Sequence, residues 1–195
     1  MKHFSELSAS AQRVVDAAEG LIQRRGYNGF SYDDVAKLIG IKKPSIHHHF
    51  ATKGDLVATV AQRYTHRFAQ QLSQIERLRL SAHKKLIAYA ALFEQTFQDG
   101  NRFCVCGMLG TESETLPENV NLQVQRFFAQ NIDWLTGIVR AGQKGGEITK
   151  HTPASAVARG YLCILEGAMV VGRGGHANTS PAQIAATYLR SMSIL

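Results

Sequence analysis

Apolar side chains recur every three or four positions along almost the whole 195-residue chain, a spacing that suits amphipathic helices and little else. The first clear stripe is Val14, Ala17, Ala18, Leu21 and Ile22. It stops at Arg24-Arg25-Gly26, where cations complement the carbonyl end of a helix and glycine accepts a left-handed cap. Ser31 reads as an N-cap, with Asp33 and Asp34 in the first turn of a short helix through Leu38 that Gly40 ends. Lys43-Pro44-Ser45 opens another, with Pro44 near the first position, where a missing N–H costs nothing. Thr52-Lys53-Gly54-Asp55 is a variant capping box. It starts a long helix striped by Val57, Val60, Ala61, Tyr64, Phe68, Leu72 and Ile75.

The pattern continues to the carboxyl end. Leu86, Tyr89, Ala90, Phe93 and Phe97 form a stripe closed by Gly100, and a short stretch follows from Phe103 to about Ser113. Thr115-Leu116-Pro117-Glu118 reads as a capping box for a long helix through Val124, Phe127, Phe128, Leu135, Ile138 and Val139. Thr152-Pro153 and Ser180-Pro181 open the last two helices. No alternating strand pattern survives between these stripes, and Asn28-Gly29 reads as an inter-helix turn, not a hairpin. No internal repeat is found. The expected architecture is all-α, with about nine helices and a small three-helix unit ahead of the helix that starts at Thr52.

Composition narrows the class. Three cysteines, an odd number, argue against a disulfide framework and suit a reducing cytoplasm. The longest apolar candidate for a membrane span, Tyr161 to Gly172, is short of the roughly 20 residues required and carries Glu166. The opening Met1-Lys2-His3-Phe4-Ser5-Glu6 lacks a hydrophobic signal core, so secretion is not expected. Only four prolines, with no long Ser/Gly or acidic tract, speak for a globular chain. The charge is lopsided. Residues 1–85 carry fourteen Lys and Arg against seven Asp and Glu, whereas residues 86–195 are balanced at eight each. One end of the molecule is therefore expected to attract a polyanion.

The second and third helices, joined by Ile39-Gly40-Ile41, meet the requirements of a helix-turn-helix. Glycine permits the tight corner, and Val35, Leu38, Ile41, Ile46 and Phe50 are expected in a shared core. The segment Lys42-Lys43-Pro44-Ser45-Ile46-His47-His48-His49-Phe50 is short, polar and basic, as a helix entering the major groove must be. Here the chain resembles the DNA-binding domain of the tetracycline-repressor (TetR/AcrR) family. The matching pieces are Ala17-Ala18 with Leu21, Arg25-Gly26-Tyr27 with Phe30-Ser31, Asp34-Val35-Ala36, Ile39-Gly40-Ile41, and the run Lys43 to Leu56. They cover residues 8–56, about a quarter of the chain.

The resemblance implies a DNA-binding domain at 1–53 and a helical ligand-binding and dimerisation domain at 54–195. It implies binding to a palindromic double-stranded operator as a homodimer in the cytoplasm, release by a small-molecule inducer, and repression more than activation. Ser31 and Tyr32 are expected to hold a phosphate at a helix start, and Lys42, Lys43 and Lys53 to bind backbone phosphates. Pro44, Ser45 and His48 are expected to meet bases. Where the family usually has two tyrosines touching the DNA backbone, this sequence has His47 and His49. Histidine ordinarily titrates near 6.5, so operator binding is expected to strengthen as pH falls from about 8 to 6. A metal site is not expected of the three histidines. Adjacent helical positions point about 100° apart, so all three cannot face one ion.

In this family the later helices line a pocket and the last two pack against a second subunit. Phe93, Phe97, Phe103, Met108, Phe128, Trp134 and Tyr161 supply aromatic and soft apolar lining, although ordinary core would use the same residues. Glu166, in an otherwise apolar helix, must be paired, hydrated or functional, with Arg173 and His176 near it in sequence. Cys104 and Cys106 are either small buried hydrophobes or, as in some family members, sensors of electrophiles or oxidants. Control by a protein partner in place of a ligand is a further alternative. No cofactor is expected. No glycine-rich phosphate loop, Gly-x-Ser-x-Gly turn or His-Glu-x-x-His motif occurs, so nothing motivates an enzyme.

Overall fold

The helices begin and end where local chemistry puts them. A computed structural model describes residues 4–175 and 180–192 and, among these, contains nine α-helices and no strand. They are α1 (Ala9–Arg25), α2 (Tyr32–Ile39), α3 (Lys43–His49), α4 (Lys53–Arg77), α5 (Ala82–Gln98), α6 (Val105–Gly110), α7 (Glu118–Lys144), α8 (Ala154–Gly174) and α9 (Pro181–Met192), with 3-10 turns at Phe4–Glu6 and Ser113–Thr115. Gly26 closes α1 at φ 74°, and its N–H bonds the Ile22 carbonyl at 2.9 Å. Ser31 and Asp34 form a reciprocal capping box on α2. Gly40 closes that helix at φ 70°, ψ 37°, the left-handed region that side chains avoid. Thr52 caps α4 by accepting the Asp55 N–H at 3.1 Å.

Three expectations are corrected. Thr115 is not the N-cap of α7, which begins at Glu118. Its hydroxyl is spent elsewhere, donating to the Glu112 carbonyl at 3.0 Å and accepting from the Asn28 amide at 3.0 Å. Leu38 is not core but 61% exposed, and Ile41 is only partly buried. Tyr32, Val35 and Ala36 form the buried face of α2, and two residues beyond Ala36 is about 200° of rotation. Finally, one helix does reach membrane length. By length and composition alone α8 is apolar enough to span a bilayer. Here Tyr161, Leu165, Ala168 and Met169 are buried, and α8 packs on α5 and α9.

The chain divides into two units. The first comprises residues 1–68 and 104–127. In it α1, α2 and α3 pack on one another and α1 also packs on α6, around Val14, Ala18, Ile22, Val35, Ile46 and Leu56. Arg63 joins Asp16 at 2.7 Å and Glu19 at 3.0 Å, and Arg67 pairs with the other Glu19 oxygen. Much of the positive charge on this stretch of α4 is thereby matched internally.

The second unit comprises residues 69–103 and 128–195, with α5, α8 and α9 packed pairwise. Two buried phenols spend their hydroxyls inside it: Tyr89 donates to Asn131 Oδ1 at 2.9 Å and Tyr161 to the Leu86 carbonyl at 2.8 Å. Two carboxylates cap helices remote in sequence. Glu147 accepts the Ala82 and His83 N–H groups at the start of α5, and Glu94 accepts the Ala182 N–H and Ser180 hydroxyl at the start of α9. Burial pushes the Glu147 carboxyl up, but the His83 and Ala82 N–H groups, the Ser81 hydroxyl and the His83 charge outweigh it and hold it below the ordinary value.

Candidate functional site

In the first unit α2, the Gly40 corner and α3 make a helix-turn-helix. The N–H groups of Gly40 and Ile41 both reach the Ala36 carbonyl, which closes the corner. Ile46 is the anchor of α3, fully buried, with Phe50 beneath its end at 5% exposure. Everything else on the short helix is turned outward. Lys43, Pro44, Ser45, His47 and His48 are exposed and His49 is partly so, with Lys42 exposed just ahead of it. A protruding face of ammonium, hydroxyl and imidazole groups on a rigid scaffold suits phosphate contacts and base edges.

The fixed partners of these side chains separate roles. Lys43 bridges to Asp33 at 2.8 Å on the exposed surface, a pair of little energetic weight that a phosphate can replace. His47 sits edge-on to Tyr32, ring centroids 4.7 Å apart, and His49 lies 3.2 Å from the Ser10 hydroxyl. Ser31 is both exposed and a cap, its hydroxyl donating to Asp34 at 2.7 Å. That bond and the Ser31 N–H hold the Asp34 carboxyl below its usual range against an opposing push from desolvation, with nearby Arg25 adding to the lowering.

Two expected phosphate ligands are tied down to different degrees. Tyr32 is buried and its hydroxyl donates to the Phe50 carbonyl at 2.9 Å, so its side chain ties α2 to the end of α3 and leaves only its backbone at the helix start. Burial first, then the Asp55 charge and Tyr27, push its phenol far above the ordinary value, so it stays protonated. Lys53 is half-buried. Its ammonium donates to the Phe30 carbonyl at 2.5 Å and lies 4.5 Å and 4.4 Å over the Tyr27 and Phe30 rings. Burial lowers its pKa, partly opposed by Glu112 and Asp34.

A cavity of about 390 Å³ opens beside the end of α3, between Glu6, Ser8, His48, His49, Asp55 and Thr59. Its two carboxylates disfavour a phosphate there.

Sequence reading missed Glu112. Its carboxylate takes the Tyr27 N–H, and it accepts the Asn28 N–H and side-chain amide at 3.1 Å each. The turn between α1 and α2 is thereby wrapped around a residue that follows α6. A Cβ at Gly26 would meet Glu112 Oε2 at 2.5 Å, so glycine is required there twice over, by space and by φ. No local pattern announces such a contact, because its partners lie more than 80 residues apart.

The residues expected to line a ligand pocket fall in both units. Cys104, Cys106 and Met108 belong to α6 and its cap in the first. Cys104 Sγ accepts the Gly107 N–H at 3.4 Å, and both thiols are almost wholly buried. In the second unit Phe93, Phe97, Phe103 and Tyr161 are buried, while Trp134 and Glu166 are partly so. Tyr89, absent from the expected set, is the hub of this cluster, touching Phe93, Trp134 and Tyr161. Arg173 lies 5.0 Å over the Phe103 ring, and His176 lies outside the described residues.

Comparison with known proteins agrees with this geometry. Residues 14–60 match the family described as "Bacterial regulatory proteins, tetR family". A TetR-family transcriptional regulator from Agrobacterium tumefaciens superposes with a TM-score of 0.90 and 32% identity, over 95% of this chain and 98% of that one. The transcriptional regulator AcuR of Cereibacter sphaeroides is 25% identical over 178 residues, 85% of this chain and 77% of that protein. The negative transcriptional regulator IcaR of the Staphylococcus aureus biofilm operon is 42% identical over 41 residues, 21% of this chain and 22% of that protein.

Proposed function

The chain belongs to the TetR family of transcriptional regulators, and from that membership we propose that it is a homodimeric cytoplasmic repressor, released from a palindromic operator when a small molecule binds it. The observation that carries the reading is the α2–Gly40–α3 corner with an outward polar face on α3. Lys42, Lys43 and Lys53 hold phosphates, and Ser31 joins them by turning its hydroxyl from Asp34. Pro44, Ser45 and His48 face bases, and His47 and His49 flank them. Residues 1–53 form the reading domain, and residues 54–195 the ligand-binding and dimerising one.

Pairing of two copies is supported by exposed apolar residues on α8 and α9: Val170, Val171 and Ile184 are 52%, 60% and 44% exposed. Two-fold pairing places two reading heads on successive major grooves. Ligand binding then acts by favouring a spacing of the heads that no longer fits the operator. In the second unit Phe93, Phe97, Phe103, Trp134, Tyr161 and Glu166 are the ligand-facing set, and in the first Cys104, Cys106 and Met108 are assigned to ligand sensing by themselves.

The test is fluorescence anisotropy of labelled duplexes from the flanks of the protein's own gene, titrated with protein at several salt concentrations. Saturable binding of a palindromic fragment, weakening steeply with salt, supports the proposal. Equal affinity for all duplexes, or a strictly monomeric species by ultracentrifugation, overturns it.

A further inference from the structure

The aromatic cluster of the second unit contains a donor that meets no acceptor among the described residues. Trp134 Nε1–H is sealed from solvent and has no hydrogen-bond partner there. Buried indole N–H groups normally find an acceptor, because an unmet donor bears its full desolvation cost. The neighbouring donors are already used: the Tyr89 hydroxyl on Asn131 and the Tyr161 hydroxyl on the Leu86 carbonyl. Trp134 stacks on Tyr89, ring centroids 5.6 Å apart and planes within 19°. Tyr89 in turn meets Phe93 at 5.4 Å and Tyr161 at 6.3 Å. The cluster thus offers apolar ring surface and one unspent polar function.

We propose that the Trp134 indole N–H is the recognition donor of the ligand site, and that the ligand is an apolar body bearing a hydrogen-bond acceptor, a carbonyl or carboxylate oxygen. This rests on the reading of the second domain as ligand-binding and specifies what that site selects. A quaternary ammonium has no lone pair for an N–H. One face each of Trp134 and Tyr89 is taken up by their stack, so the pair cannot close around a cation between them. A carbonyl or carboxylate satisfies the orphan and leaves the stack intact.

Trp134 is the sole tryptophan, so its emission and its single indole NMR resonance report on this group alone. The full-length protein is titrated with hexanoate, hexanamide and hexyltrimethylammonium, which share an apolar chain and differ in the head group. Hexanoate or hexanamide should bind saturably, shift the Trp134 emission and move the indole proton downfield, whereas the ammonium should do neither. A carboxylate site favours hexanoate and a carbonyl site hexanamide.

Trp134→Phe keeps the ring stack and removes the donor. It should weaken the preferred probe by about fivefold if neutral and more than about tenfold if charged. Binding of neither acceptor probe, binding of all three alike, or unchanged affinity in Trp134→Phe would overturn the proposal. If that variant does not fold, the indole shift in the native protein still decides. Operator binding in the same preparation separates the two readings. A protein that binds its duplex but fails these titrations keeps its regulatory role and loses only this ligand assignment.

Discussion

Replacing Glu112 tests how the reading head is held. Three donors converge on its carboxylate: the Tyr27 N–H, the Asn28 N–H and the Asn28 side-chain amide. A hydrogen bond to a charged group contributes about 1.5–3 kcal/mol where it is shielded. The two Asn28 bonds are solvent-exposed, so each falls toward about 0.5–1 kcal/mol. Glu112→Gln keeps one acceptor oxygen, removes the charge and sets an NH₂ group against a backbone donor. The expected loss is about 2 kcal/mol, which for a chain of this size lowers the thermal midpoint by about 4–8 °C. The assay is urea and thermal unfolding of Glu112→Gln beside Glu114→Gln, an exposed neighbour that should move by less than about 0.5 kcal/mol. Amide exchange at Tyr27 and Asn28 should accelerate in the first variant only. If the two variants are indistinguishable in stability and exchange, the carboxylate does not hold the turn.

Other perturbations probe other levels. The Asp34 carboxyl is held below its unfolded value, so its contribution is complete above the ordinary carboxylate range and is lost as pH falls through the folded value. Acid unfolding followed by circular dichroism should therefore be less steep in Asp34→Asn and in Ser31→Ala than in the native chain. Gly26→Ala should destabilise by more than about 1 kcal/mol, since φ is 74° and the new methyl meets Glu112. Gly137→Ala, in α7 with nothing within 4 Å, should stabilise by up to about 1 kcal/mol, and chemical denaturation reads both. Lys42→Ala should weaken all duplexes alike and reduce the slope of log affinity against log salt by about 1.

The local signals in the sequence were sound wherever a segment could satisfy itself. Ser31 with Asp34, Gly40, Pro44 and Thr52 set the helix-turn-helix and the start of α4. The next few residues meet the stranded N–H and carbonyl groups, whatever else the chain does. The same logic failed at Thr115, where the capping pattern is present but a closer acceptor, the Glu112 carbonyl, and a remote donor, Asn28, claimed the hydroxyl. It also failed at Leu38, because in a helix of eight residues a two-position offset decides whether an aliphatic side chain faces the core or water.

What the sequence determined alone is the list of helices, the corner between α2 and α3, and the polar character of the face α3 presents. These depend on periodicity and on contacts a few residues long. What only the tertiary structure decided is which polar groups are already spent. Tyr32 read as a phosphate ligand until the Phe50 carbonyl was seen to take its one O–H, whereas Lys53 gives the Phe30 carbonyl one of three N–H groups and keeps the others. Glu112, Glu94 and Glu147 carry no signal in the sequence, yet each sits on backbone N–H groups 64 to 88 residues away. A hydrogen bond saturates: once an N–H or hydroxyl has its acceptor, it is no longer available to DNA or ligand. Which acceptor arrives is fixed by folding in three dimensions, where sequence distance carries no weight.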